Sequence, residues 1–138
     1  MSGIDECLLE AMTLPGARGA ALVEWISGLA LGRIGEVPDG DHETTAAQTA
    51  EFARCAAEHP VFTRGGHDPA QDGPADAAKG PQIEDVIVVS HGGYHLLRFL
   101  EAPYEGGVFL HLWLDRTHAN LALALIRLRD LAERLVLE

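Results

Sequence analysis

Lysine is almost absent from this chain. Lys79 is its sole example in 138 residues, and Lys and Arg together number 10 against 21 Asp and Glu. The resulting formal net charge of -11 repels phosphate backbones and anionic headgroups, which argues against nucleic acid and membrane surfaces as partners. The 2 cysteines, Cys7 and Cys55, fall in helical patterns without zinc-site or disulfide spacing, so reduced thiols are expected. No apolar run approaches the roughly 20 residues that span a bilayer. The opening MSGIDECLLEAM carries acids where a signal peptide needs basic charge, so a soluble, cytoplasmic protein is expected.

What is present is 47% hydrophobic residues, enough for the core of a single domain over 1–138. Ile4, Cys7, Leu8, Ala11 and Met12 recur at helical spacing, with Ser2 as a cap and Pro15-Gly16 ending the run. GAALVEWISGLALGRIG reads as a β-hairpin turning at Ser27-Gly28, with strands near Arg18 to Ile26 and Leu29 to Ile34. A second helix follows, capped by Asp41 and stopped by Pro60, its apolar face made of Ala46, Ala47, Ala50, Ala53 and Ala57 with Phe52 as the large member. The segment 63–82 is rich in Gly, Pro, Ala and Asp without apolar periodicity, which predicts a flexible loop. IEDVIVVS, YHLLRFLEA and GVFLHLWLD then form a meander of three strands with glycine turns. Both alternating sets of the first, Val86 and Val88, Ile87 and Val89, are apolar, so both sheet faces are expected to be covered. RTHANLALALIRLRDLAERLVLE closes the chain as an amphipathic helix.

Reactive chemistry finds little to build on. His91-Gly92-Gly93 has the form of an esterase oxyanion loop, but G-x-S-x-G is absent and Ser27 and Ser90 are the only serines beyond Ser2. As a metal site the same stretch fails by parity. With Gly92-Gly93 as a two-residue turn, His91 pairs with Tyr94 and Ser90 with His95, and His91 and His95 face opposite ways. No H-x-H or H-E-x-x-H occurs, and His42, His59, His67, His111 and His118 are scattered singly. Glu84 and Asp85 point to opposite faces, and Asp39, Asp41 and Glu43 sit where a helix N-terminus attracts negative charge. Neither GxGxxG nor a Walker lysine appears. No catalytic, cofactor-binding or metal-ligating residue is assigned, no cofactor is expected, and the chain reads as a non-enzyme whose glycine pair makes a hairpin.

The strand from Ile83 to Ser90 is tied by a hairpin on one side only and lacks the lysine or proline that usually guards an edge. Beside an alanine-faced helix, such an edge suits self-pairing of two copies. The order α-β-β-α-β-β-β-α, an α+β arrangement with a five-stranded antiparallel sheet and helices on both faces, resembles the roadblock family. That family includes dynein light chains and bacterial polarity regulators. The resemblance runs through GAALVEWISGLAL, DHETTAAQTAEFAR, IEDVIVVSHGGYHLLRFL and LDRTHANLALALIRLRDLAERL, nearly the whole chain except the loop. It implies a homodimer joined through the third strand and the middle helix, bound to a small Ras-like GTPase without supplying a catalytic arginine or glutamine. Ala46, Ala50, Ala53, Ala57, Val86 and Val88 are then the expected dimer interface.

Three functions follow, from different classes. The leading one is a dimeric regulator or scaffold of a small GTPase, with a possible activating role, in a cytoplasmic signalling system. A structural dimerisation module, assembled with a sensor kinase or another roadblock subunit, is the second. The third is a small-molecule sensor with a pocket near the long loop. Nucleotide-dependent partner affinity separates the first from the second, and a co-purifying metabolite marks the third.

Overall fold

The computed structural model describes residues 3–38, 40–63, 83–100 and 107–135. The chain opens with helix α1, Ile4–Ala11, whose N-cap is Gly3 in extended backbone with no side-chain cap. The expected cap Ser2 lies outside the described residues, and Asp5 and Glu6 complement the helix dipole in the first turn instead. Strands β1, Ala17–Glu24, and β2, Leu29–Gly35, form the first hairpin. Helix α2, His42–Glu58, starts at Asp41, whose carboxylate accepts from the Glu43 N–H at 3.0 Å and the Thr44 hydroxyl at 2.7 Å. A short turn of helix, α3, covers Pro60–Thr63. Strands β3, Asp85–Ser90, β4, Gly93–Phe99, and β5, Val108–Leu114, make the meander, and helix α4, Leu121–Arg134, is capped by the Asn120 side chain.

The five strands are all antiparallel in the order β2-β1-β5-β4-β3. The last strand in sequence is therefore the central one, and it is buried at every position. Its alternation divides the core. Leu110, Leu112 and Leu114 join Leu22, Leu96, Cys7, Leu8 of α1 and Leu128 and Leu131 of α4 on one face. Phe109 joins Val23, Leu97, Phe99 and the α2 alanines on the other. Each fully buried leucine contributes about 1.5–3 kcal/mol relative to exposure, so the first cluster holds most of the stability.

Helix α2 contributes differently. Ala46, Ala50, Ala53, Ala56 and Ala57 are its buried residues, and small side chains bring its backbone close to the sheet. Ala47 and Phe52, expected on that face, are exposed instead, Phe52 at 46%. A phenyl ring does not fit between a helix and sheet spaced by alanine, so Phe52 turns outward.

The central hairpin differs from its expected register. Ser90 pairs with Gly93, Val89 with Tyr94 and Val88 with His95, so the two turn residues are His91 and Gly92. Gly93 belongs to the strand because a Cβ there would collide with the Leu114 carbonyl oxygen, and its φ of 131° lies where L side chains are strained. Coverage of both faces holds for β1, β5 and β4 but fails at β3, where Ile87 and Val89 remain exposed. Helices α1 and α2 lie over β2 and β1, and α4 lies over β4 and beside α1. The loop expected at 63–82 lies outside the described residues beyond Thr63.

Candidate interaction surface

Strand β3 is an edge, with β4 as its neighbour and no strand beyond it among the described residues. Among the described residues its outer N–H and C=O groups have no strand partner, and from Val86 to Ser90 no charged side chain interrupts the strand. Val86 pairs with Leu97 and Val88 with His95, which sets both valines on the α2 side of the sheet, half-buried. Ile87 and Val89, opposite Leu96 and Tyr94, take the other side. The start of the strand is anchored by Asp85, whose carboxylate accepts from Arg98 Nη1 at 2.9 Å across the ladder. Arg98 is buried, and its Nε–H has no hydrogen-bond partner among the described residues.

The four expected interface alanines, Ala46, Ala50, Ala53 and Ala57, lie inside the chain's own core between α2 and the sheet. What α2 turns to solvent is Glu43, Thr44, Ala47, Gln48, Glu51, Phe52, Cys55 and Glu58. Val61 and Phe62 of α3 are exposed as well. The large apolar side chains exposed in this region are Phe52 on the outer side of α2 and Val61 and Phe62 on α3. In the sequence, a large aromatic among alanines pointed to the outer side, but the number of alanines drew attention to the inner face.

A pair of histidines occupies the α2 side next to the β3 edge. His95 Nδ1 and His111 Nε2 lie 2.9 Å apart, one donating and the other accepting, with the ring centroids 5.1 Å apart and the planes 21° from parallel. The Trp113 ring lies nearly parallel to His95, its centroid 6.0 Å away, and the Arg18 guanidinium lies 3.9 Å over the indole, held by Glu36 at 3.0 Å. Burial, followed by the neighbouring His95, pushes His111 down to about 3, and burial lowers His95 too. Both rings are neutral near pH 7. The sequence hid this pair because its members are 16 residues apart and meet only once the register of β5 on β4 is known.

No group of three or more His, Cys, Asp or Glu side chains able to hold a metal ion occurs among the described residues. Burial first, then Glu10, pushes the Cys7 thiol up to about 11, so it is not a nucleophile at neutral pH. His91 sits in the exposed turn, away from His95. A cleft between the start of α2 and strands β1 and β2, lined by residues including Arg33, Glu36, His42 and His111, encloses about 20 Å³, room for about one water. No helix among the described residues is long and apolar enough to cross a membrane. What this region presents is a sheet edge and exposed apolar side chains at Phe52, Val61 and Phe62.

No family model matches the chain, and no curated protein matches it by sequence. Solved structures do match by fold. Myxococcus xanthus MglB superposes with a TM-score of 0.67 at 14% identity, over 94% of this chain and 89% of that one. An MglB with a tetrameric arrangement gives 0.65 at 18% identity, covering 94% and 82%. The gliding protein MglB from Thermus thermophilus gives 0.66 at 16%, covering 94% and 83%. The chain therefore has the MglB fold, and the five-stranded, two-faced arrangement implied by the roadblock resemblance is present.

Proposed function

We propose that this chain is a non-enzymatic, homodimeric regulator or scaffold of a small Ras-like GTPase in a cytoplasmic signalling system. The observation that carries the reading is the MglB fold extending over 94% of the chain, with no strand beyond β3 among the described residues. The GTPase itself comes from the roadblock resemblance. One MglB neighbour has a tetrameric arrangement, which supports self-assembly here.

In the proposed dimer two β3 edges pair and extend the sheet, burying Val86 and Val88 beneath the partner. The exposed Phe52 of α2 and Val61 and Phe62 of α3 supply the apolar contact of the helices. Ala46, Ala50, Ala53 and Ala57 act from behind, by holding α2 close to its own sheet. The dimer presents a rigid surface that the GTPase reads in one nucleotide state, and regulation consists of favouring that state.

A structural assembly module, with a sensor kinase or another roadblock subunit, shares the same dimer and differs only in indifference to nucleotide. The cleft beside α2, at about 20 Å³, is far below the roughly 300 Å³ of an ordinary ligand pocket, and the pocket expected near the 63–82 loop by the small-molecule reading lies outside the described residues. Affinity capture from native cytosol with GDP or a GTP analogue tests the proposal. A small GTPase enriched in one nucleotide form is the expected result, and recovery of partners indifferent to nucleotide shifts the reading to the assembly module.

A further inference from the structure

We infer that a β-bulge at Leu31 closes the β2 edge of the sheet to a further copy of this chain, so that self-assembly stops at two. The inference rests on the dimer proposed above and concerns the opposite end of the sheet. In the order β2-β1-β5-β4-β3 both β2 and β3 are terminal, with no strand beyond either among the described residues. Two copies joined through β3 turn two β2 edges outward. Were those edges to pair as well, every addition would present another one, and the assembly would grow without closing. A finite dimer therefore needs β2 shut.

Strand β2 lacks the usual guards. From Leu29 to Gly35 it carries no lysine and no proline, and Arg33 is its single charge. Leu29 and Leu31 are 64% and 44% exposed, and Ile26, in the turn before them, is 52% exposed. Helices α1 and α2 lie over the strand, so closely that a Cβ on Gly32 would run into Ile4 and Leu8 of α1. A helix over a face still leaves the backbone groups of an edge without strand partners.

One irregularity in the pairing supplies what is missing. Leu22 pairs with Gly32 and Val23 with Ala30, so Leu31 has no residue opposite it. Leu22 belongs to the core cluster under α1 and α4, and Val23 to the cluster under α2. Gly32 accordingly lies against α1, while Ala30 packs with the α2 cluster. Residues two apart share a face in a regular strand, and the bulge sends these two to opposite faces. It also displaces the outward N–H and C=O groups on its two sides by one residue, and it bends and twists the strand. An incoming strand in register with Gly32 to Gly35 is then out of register with Leu29 and Ala30. Strand β3 is the contrast, since it pairs with β4 one residue for one from Asp85 to Ser90. The sheet has one regular edge and one broken edge, and only the regular one can take a second copy along its whole length.

Deleting Leu31 tests this with little disturbance of the core. Ala30 and Gly32 become adjacent, opposite Val23 and Leu22, and each keeps its present face. The deletion variant should melt within a few degrees of the unaltered chain, and its mass by light scattering should rise with concentration to at least about twice that of the unaltered chain. Adding Leu29→Lys to the deletion should return the mass to its original value, because a charge guards the regular edge in place of the bulge. In the otherwise unaltered chain, Leu29→Lys should leave the mass as it is. A folded deletion variant of unchanged mass would overturn the inference. So would a deletion variant that no longer folds, since the bulge would then serve the hairpin itself, or a fall in mass caused by Leu29→Lys alone, since β2 would then already be an interface. The dimer stands or falls separately. If the unaltered chain is monomeric and the deletion variant pairs, the dimer reading fails and the bulge keeps its role. If the unaltered chain is dimeric and the deletion changes nothing, only the role of the bulge falls.

Discussion

His95 Nδ1 and His111 Nε2 share a hydrogen bond of 2.9 Å on the sheet face beneath the region where a second copy is proposed to sit. His111 is 7% exposed, and Arg18, over the adjacent Trp113, adds a nearby cation. The pair is satisfied as long as both rings are neutral. A proton added to it must be buried without a counter-ion, which is costly in a low-dielectric setting.

The consequence is acid sensitivity with a fixed sign. The folded pKa of His111 is depressed from 6.5 to about 3, so the unfolded chain binds the proton first. Stability is fully present above pH 6.5 and is lost as the pH falls from there toward 3. The loss attributable to His111 at pH 4 is about 3 kcal/mol. Urea denaturation from pH 7 to pH 4 should show this slope, and the apolar double variant His95→Phe with His111→Leu should flatten it. An unchanged slope would place the acid sensitivity elsewhere.

Gly93→Ala should destabilise the chain by about 2–4 kcal/mol, because the new methyl meets the Leu114 carbonyl oxygen and the backbone sits at φ 131°. Gly92→Ala, with only the Ser90 hydroxyl oxygen within 4 Å, at 3.8 Å, should cost far less. Thermal melts of the two variants compare them directly, and equal melting temperatures would contradict the register of the hairpin.

Removing one member of the Asp85–Arg98 pair should cost more than removing both. Asp85→Ala strands a buried guanidinium whose Nε already lacks a partner among the described residues, and a loss of about 3 kcal/mol is expected. Asp85→Val combined with Arg98→Leu should recover most of it, since apolar side chains fill the site without a desolvation cost. A double-mutant cycle by denaturant unfolding measures the coupling.

Val88→Lys should give monomers. It places a charge in the middle of the β3 edge, opposite His95, at a half-buried position on the α2 side of the sheet. Light scattering reads the mass, and an unchanged dimer would move the interface off this edge.

Much of the architecture was legible in the sequence, because period-3.6 and period-2 apolar patterns and glycine turns specify elements almost locally. Asp41 read as a cap and is one. The hairpin register was not legible. Gly92 and Gly93 are alike as letters, and only the approach of Leu114 on β5 decides which one lies in the strand. The candidate site divides in the same way. The β3 edge follows from strand order and an uncharged run. The meander placed the strands of His95 and His111 side by side, but their pairing depends on the register of β4 on β5, which sets Trp113 opposite His95 and His111 diagonal to it, and no local pattern carries that. The inward alanines and outward Phe52 depend on how closely α2 approaches the sheet.

The most direct test of the central claim is the affinity of the purified chain for its captured small GTPase, measured by calorimetry with the GTPase loaded with GDP and then with a non-hydrolysable GTP analogue. The account predicts a difference of at least about tenfold, about 1.4 kcal/mol, between the two forms. Equal affinity for both would contradict it, because a partner that binds two states alike shifts neither.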